Sequence, residues 1–164
     1  MPQRNRLWMT ACFVAALAAS LTSAHAADMG PQVRREVQTA ENYCKEHGGK
    51  PRTDAGFARV LDLNDDGAED WILDFSKFHC DRSVPPEPYC GSGGCSLMIF
   101  LWKQGEEWTK AFDDTFQQHR LIKRGRKFEL ELTLAGNMCG QSNAHSCRET
   151  YAFVGDKLVR KRKN

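Results

Sequence analysis

Asp62-Leu63-Asn64-Asp65-Asp66-Gly67-Ala68-Glu69-Asp70, running directly into Trp71-Ile72-Leu73-Asp74-Phe75, decides how this 164-residue chain is read. Oxygen-bearing side chains stand at alternate positions, and a glycine follows where the backbone must turn sharply. The next five residues then read as a strand. In an oxygen-ligand loop, positions 1, 3 and 5 offer side chains, position 6 is glycine and position 7 offers a backbone carbonyl. Those positions are Asp62, Asn64, Asp66, Gly67 and Ala68, with Asp70 at position 9. The expected metal set is therefore Asp62, Asn64, Asp66, Ala68 and Asp70, around a structural Ca2+ of the weak extracellular type. The bidentate glutamate that an EF-hand carries at position 12 is missing, because Leu73 stands there and is expected in the core. A metal-free turn rich in Asn and Asp is the competing reading, since both residues favour turns.

Outward from this loop the pattern alternates with period two. Phe57 to Leu61 leads in, and Trp71, Leu73 and Phe75 share one face on the way out. Leu97-Met98-Ile99-Phe100-Leu101-Trp102 is apolar without alternation and sits beside glycines, which predicts a central strand covered on both faces. Beyond the turn Gln104-Gly105-Glu106, alternation is expected to continue through Trp108, Lys110 and Phe112. A weaker strand is expected at Arg120 to Lys123. Phe128, Leu130, Leu132 and Leu134 then alternate with Lys127, Glu129, Glu131 and Thr133, as in a sheet with one wet face. Tyr151 and Phe153 pair with Leu158 across Gly155-Asp156, a two-residue hairpin signal.

Upstream, Pro31 to His47 reads as a helix. Val33, Val37, Ala40 and Cys44 recur on one stripe, Pro31 suits the first turn and Gly48-Gly49 the end. The expected fold is α+β, with one N-terminal helix and a mainly antiparallel meander of seven to eight strands. Trp71, Trp102, Trp108 and Phe100 fall at strand spacing and are expected in the core.

Residues 1–26 have the form of a signal peptide. Arg4 and Arg6 precede the apolar run Leu7 to Leu21, and Ala24-His25-Ala26 is a small-x-small cleavage site. Residues 27–164 are then one exported domain, with no later segment long and apolar enough to span a membrane. Cleavage removes two of the 23 basic residues and none of the 21 acidic ones. The remaining charge is balanced, so nothing global points to nucleic acid, and the tail Arg160-Lys161-Arg162-Lys163 reads as a solvated terminus.

Cys12 leaves with the signal, so six cysteines remain. An even number in an exported chain reads as disulfides, and six allow 15 pairings. Cys90 and Cys95 bracket Gly91-Ser92-Gly93-Gly94, and Cys139 and Cys147 bracket a turn-rich segment with Gly140, Ser142 and Asn143. Pairing within each segment leaves Cys44 with Cys80 as the long-range bridge. Cys90-Gly-Ser-Gly-Gly-Cys95 lacks the glycine a nucleophile elbow needs two residues before Ser92. It also lacks the Lys-Ser/Thr of a phosphate loop. Zinc on His79, Cys80, Cys90 and Cys95 matches no closed zinc spacing.

The loop resembles the D-x-[DN]-x-D-G-x-x-D loops of FG-GAP-type and related extracellular β-modules, which implies structural calcium. The loop together with Cys90–Cys95 and the C-terminal cysteine pair resembles a family of small exported alphaproteobacterial proteins. That resemblance implies compartment and scaffold, names no substrate and transfers no functional residue. The expectation is a periplasmic or secreted, non-catalytic binding or accessory module with a periplasmic protein partner. Its specific form is an inhibitor or immunity-type protein that caps a cell-envelope hydrolase. The alternative is a small periplasmic hydrolase that uses the metal or an acid–base pair such as Asp74 with His79. His47, His79, His119 and His145 show no partner signature and are expected to be structural or at the surface.

Overall fold

The computed structural model describes residues 29–81, 88–103, 107–142 and 145–161. The segment expected to be a signal peptide, the expected turn Gln104-Gly105-Glu106, Asn143 and the tail residues Arg162 and Lys163 lie outside the described residues.

Helix α1, Pro31–Glu46, buries Val33, Ala40 and Cys44, with Val37 half-buried beside them. Their spacing puts all four on one stripe, and Pro31 occupies the first turn, where its missing N–H would have no partner anyway. The chain leaves through Gly49, whose N–H donates to the Cys44 carbonyl at 2.9 Å. A Cβ at Gly49 would run into the sulfurs of both Cys44 and Cys80. A glycine is therefore what lets the chain pass this bridge.

Among the described residues, eleven strands follow in three antiparallel sheets. A two-stranded ribbon pairs β1 (Pro51–Thr53) with β4 (Phe78–Cys80). The central sheet runs β2 (Ala58–Leu61), β3 (Asp70–Asp74), β6 (Gly94–Trp102), with β7 (Trp108–Phe116) beyond β6. The two-residue β5 (Cys90–Gly91) pairs with the start of β6. The outer sheet is a meander of β8 (Gln118–Arg124), β9 (Lys127–Ala135), β10 (Ser146–Val154) and β11 (Lys157–Arg160). The expected seven or eight strands omitted β1, β4 and β5, which have two or three residues each and no room for alternation to show.

The core forms two clusters on opposite faces of the central sheet. Ile72, Leu97, Ile99 and Leu101 meet Leu130, Leu132, Leu134 and Phe153 of the outer sheet. Trp71, Leu73, Phe75, Met98 and Phe100 meet Val33 and Ala40 of the helix. The result is three layers: helix, central sheet, outer sheet. It explains the unbroken apolar run of β6, whose successive side chains feed both clusters.

Alternation does not continue simply through β7. Ile99 pairs with Phe112 but Phe100 with Lys110, so Ala111 is the extra residue of a bulge. The bulge flips the side-chain phase. Trp108 packs on the helix side and Phe112 on the outer-sheet side.

All three bridges form as expected: Cys44–Cys80, Cys90–Cys95 and Cys139–Cys147. They suit a chain that folds in oxidising surroundings, and they remove the cysteines a zinc reading needs. Among the described residues no helix is long and apolar enough to cross a membrane.

Candidate functional site

The acidic loop joins β2 to β3 at the place where the two large sheets meet. Leu63, its second residue, is fully buried in the inter-sheet cluster. Its carbonyl accepts the Phe128 N–H of β9 at 3.1 Å. Asn64 Nδ2 donates to the Gly155 carbonyl in the β10–β11 turn at 3.0 Å. Asp65 Oδ1 accepts from Arg126 Nε, in the β8–β9 turn, at 3.0 Å. The loop is thus a clasp that ties the central sheet to three elements of the outer one.

Its own carboxylates turn inward. Asp62 Oδ1 accepts the N–H of Asp65 and of Asp66, at 2.7 and 3.2 Å, and Oδ2 that of Gly67 at 3.1 Å. Asp66 Oδ1 accepts the Ala68 N–H at 2.8 Å, and Oδ2 the Asn64 amide at 2.9 Å. Asn64 Oδ1 accepts the Asp66 N–H at 3.2 Å. Two residues of the loop adopt the left-handed conformation, Asp65 at φ 64° and Gly67 at φ 86°. Glycine suits the second of these, and aspartate is among the few side chains that tolerate the first.

Asp70 is the most enclosed of the set, with no exposed surface. Oδ2 accepts the Leu63 N–H at 2.9 Å and Oδ1 the Trp102 N–H at 2.8 Å, which fixes the loop to the end of β6. Burial pushes its pKa up to about 6; the two N–H donors oppose the rise, and the charges of Asp66 and Asp62 add to it.

The expected ligands Asp62, Asn64, Asp66 and Asp70 are therefore gathered in one place, with Ala68 engaged through its N–H. A carboxylate oxygen can accept more than one hydrogen bond, so oxygen capacity remains on Asp62 Oδ2, Asp66 and Asp70. Two like charges, Asp62 and Asp66, beside the buried carboxylate of Asp70 are what a hard cation would neutralise, so the donor chemistry fits calcium. As they stand, the described residues hold no group of three or more His, Cys, Asp or Glu side chains set to grip a metal ion.

Asp74 and His79 do not meet. His79 Nε2 lies 2.8 Å from Asp54 Oδ2, and that hydrogen bond holds Asp54 below the usual carboxylate range. The histidine near Asp74 is His119 of β8, with Nδ1 at 3.8 Å from Asp74 Oδ2 and little of either side chain exposed. Asp74 Oδ1 is taken by the N–H and hydroxyl of Ser76, at 3.0 and 2.6 Å. Burial lowers the His119 pKa; Asp74 opposes this, while Arg59 and Lys77 reinforce it. Chain separation hid the pairing, because β8 reaches β3 only across the inter-sheet core. Position 119 sits in register with buried Leu132, and that register was the one signal available.

A histidine with a depressed folded pKa stabilises the fold above its unfolded pKa near 6.5, and that contribution is lost as pH falls below it. The melting temperature of the wild type relative to His119→Gln is thus expected to drop between pH 7.5 and 5. Parallel pH profiles in thermal melts of the two proteins would contradict this assignment.

Among the described residues, two cavities are large enough for a ligand. One, of about 930 Å3, opens on the outer sheet beside Arg124, Arg148 and Lys161. The other, of about 360 Å3, lies beside Gly91–Gly94 and Met138. A pit of about 20 Å3 between Tyr43, Phe75 and Tyr89 has room for one water. Neither the acidic loop nor the Asp74–His119 pair lines any of the three.

Comparison with protein-family models, with curated proteins and with solved structures finds no match to this chain.

Proposed function

We propose that this chain is an exported, periplasmic or secreted, non-catalytic binding or accessory module whose acidic loop is a calcium-type structural clasp. The observation that carries the reading is the loop's double engagement. Its carboxylates are turned onto backbone N–H groups while Leu63, Asn64 and Asp65 reach Phe128, Gly155 and Arg126 of the outer sheet. Such a loop holds architecture together and presents no reactive group to a substrate. Calcium would be held by Asp62, Asn64, Asp66 and Asp70 with the Ala68 carbonyl. Bound there, it would supply the positive charge that these carboxylates lack.

The three disulfides support export, because such bridges persist in oxidising compartments. The hydrolase alternative loses its proposed pair, since His79 is engaged by Asp54. The pair that does form, Asp74 with His119, has little of either side chain exposed and lines none of the three cavities described above. The partner in this reading is a periplasmic protein. An inhibitor or immunity-type role is a class analogy that fits a small, stapled scaffold.

Amide chemical shifts of the oxidised protein, followed during calcium titration, test the clasp. The Gly67 and Ala68 signals are expected to move saturably with a dissociation constant of about 10⁻⁴ to 10⁻³ M, as in extracellular modules. Magnesium is expected to do far less, because it needs a smaller octahedral shell. Loop signals that ignore millimolar calcium would contradict the reading.

A further inference from the structure

The wet face of the outer sheet is strongly asymmetric in charge. Strand register places Arg120 and Arg124 of β8, Lys127 of β9, Arg148 of β10, Lys157 of β11 and the adjoining Lys161 on it. Against these six cations it carries two carboxylates, Glu129 and Glu131. The glutamates lie underneath. Their side chains are 15% and 16% exposed, whereas those of Arg120, Arg124 and Arg148 are 64%, 64% and 67% exposed. Each of these arginines meets its glutamate through Nε, at 2.7, 3.5 and 3.7 Å respectively. Lys161 Nζ lies 2.7 Å from Glu129 Oε1 and holds that carboxylate below its usual range. The glutamates thus anchor the cations from beneath, while the arginine side chains stay about two-thirds exposed, and guanidinium groups suit oxyanions.

Part of this face is a trough. The cavity of about 930 Å3 runs from Arg124 and Glu129 past Thr150 and Lys161 to Arg148. It ends against Gln141 and the Cys139–Cys147 bridge, and its lining also holds Glu149 and Arg160, paired with each other at 3.1 Å. Its size is that of a small-molecule site. Same-face residues recur about every 7 Å along a strand, and alternate strands lie about 10 Å apart. One oxyanion cannot span cations spread on that grid, so the ligand must be elongated and carry several acid groups. No aromatic residue lies on the wet face among the described residues, so there is no platform on which nucleobases could stack. A hydroxyl, Thr150, and an amide, Gln141, also line the trough, with an apolar disulfide wall. That mixture suits hydroxyl-bearing rings better than a bare phosphate chain.

We propose that this trough binds an acidic oligosaccharide, its acid groups on Arg124, Arg148 and Lys161 and its hydroxyls beside Thr150 and Gln141. The proposal deepens the binding-module reading by naming a ligand class. It is independent of the calcium clasp, so either can fail without the other.

The test is calorimetric titration of the oxidised protein with an oligogalacturonate at low and moderate salt. A neutral maltooligosaccharide and an inorganic polyphosphate of similar length serve as comparators. Oligogalacturonate is expected to bind saturably and the neutral sugar not at all. The triple variant R124Q/R148Q/K161Q is expected to lose at least about tenfold in affinity, since each charge-assisted contact is worth about that much. R35Q/K45Q/K50Q, with the same loss of charge on and just after the helix, is expected to keep wild-type affinity. Arg148→Gln alone, at an exposed position, reports on the trough if the triple variant misfolds. Absence of oligogalacturonate binding, or equal weakening by the two triple variants, would overturn the site. Equally tight, equally variant-sensitive polyphosphate binding would overturn the sugar assignment.

Discussion

Replacing Cys44 and Cys80 together with serine is expected to lower stability by about 4 kcal/mol, measured by urea unfolding of the oxidised protein. The bridge spans 36 residues of sequence, and in the chain-entropy model a cross-link of that span restricts the unfolded ensemble by roughly that amount. Its native consequence is specific. Cys44 is on the buried stripe of α1, and Cys80 ends β4, so the bridge pins the helix to the ribbon beside the central sheet. Cys90→Ser with Cys95→Ser opens a loop of only five residues' separation and is expected to cost about 2 kcal/mol. Equal losses in the two double variants would mean that the helix does not depend on its bridge.

Asp70→Ala is expected to cost about 3 kcal/mol near pH 7, read from denaturant unfolding in the presence of chelator. Two backbone N–H groups, of Leu63 and Trp102, lose their acceptor. An orphaned buried donor costs about 1–3 kcal/mol, and relief of a desolvated charge offsets part of the total. The pH dependence has a definite sign. Because the folded pKa is raised to about 6 from 3.8, the folded state binds this proton more tightly than the unfolded one. The stability from this one group is fully present below the unfolded pKa and is lost as pH rises through about 6. The cost of Asp70→Ala is therefore expected to be larger at pH 4.5 than at pH 7.5. This trend runs opposite to that of His119, so the two variants separate the two groups. A cost that shrinks at low pH would contradict the assignment to Asp70.

Much of this architecture was legible before any coordinates. The stripe Val33, Val37, Ala40 and Cys44 marked the helix because burial on one side imposes a 3.6-residue period. Leu97 to Trp102 marked the central strand because two faces were to be covered. The disulfides followed from local loop closure. What escaped was non-local or too short. The strands β1, β4 and β5 have no length over which a period can appear. The Ala111 bulge left Trp108 and Phe112 looking like partners on one face, since one inserted residue reverses phase without altering composition. In the loop, the gathering of Asp62, Asn64, Asp66 and Asp70 was readable from spacing. The burial of Leu63 and the reach to Phe128, Gly155 and Arg126 were not, because they depend on where a sheet more than sixty residues later comes to rest. For the same reason Asp74 was matched with His79, close in sequence, when the fold supplies His119.

The central claim is that Asp62 to Asp70 forms a calcium-type clasp between the sheets, and a thermal melt with calcium or chelator tests it most directly. Calcium that binds only the native state stabilises it by mass action, by about 2.7 kcal/mol at one hundred times the dissociation constant. Millimolar calcium is expected to raise the melting temperature in a concentration-dependent way, with little effect from magnesium. Asp66→Ala is expected to abolish that response with the three disulfides intact. Asp65→Asn is expected to retain it, because position 65 faces Arg126 and asparagine tolerates its left-handed backbone. A melting temperature indifferent to both calcium and chelator would contradict the claim and leave the loop as a clasp made of hydrogen bonds alone.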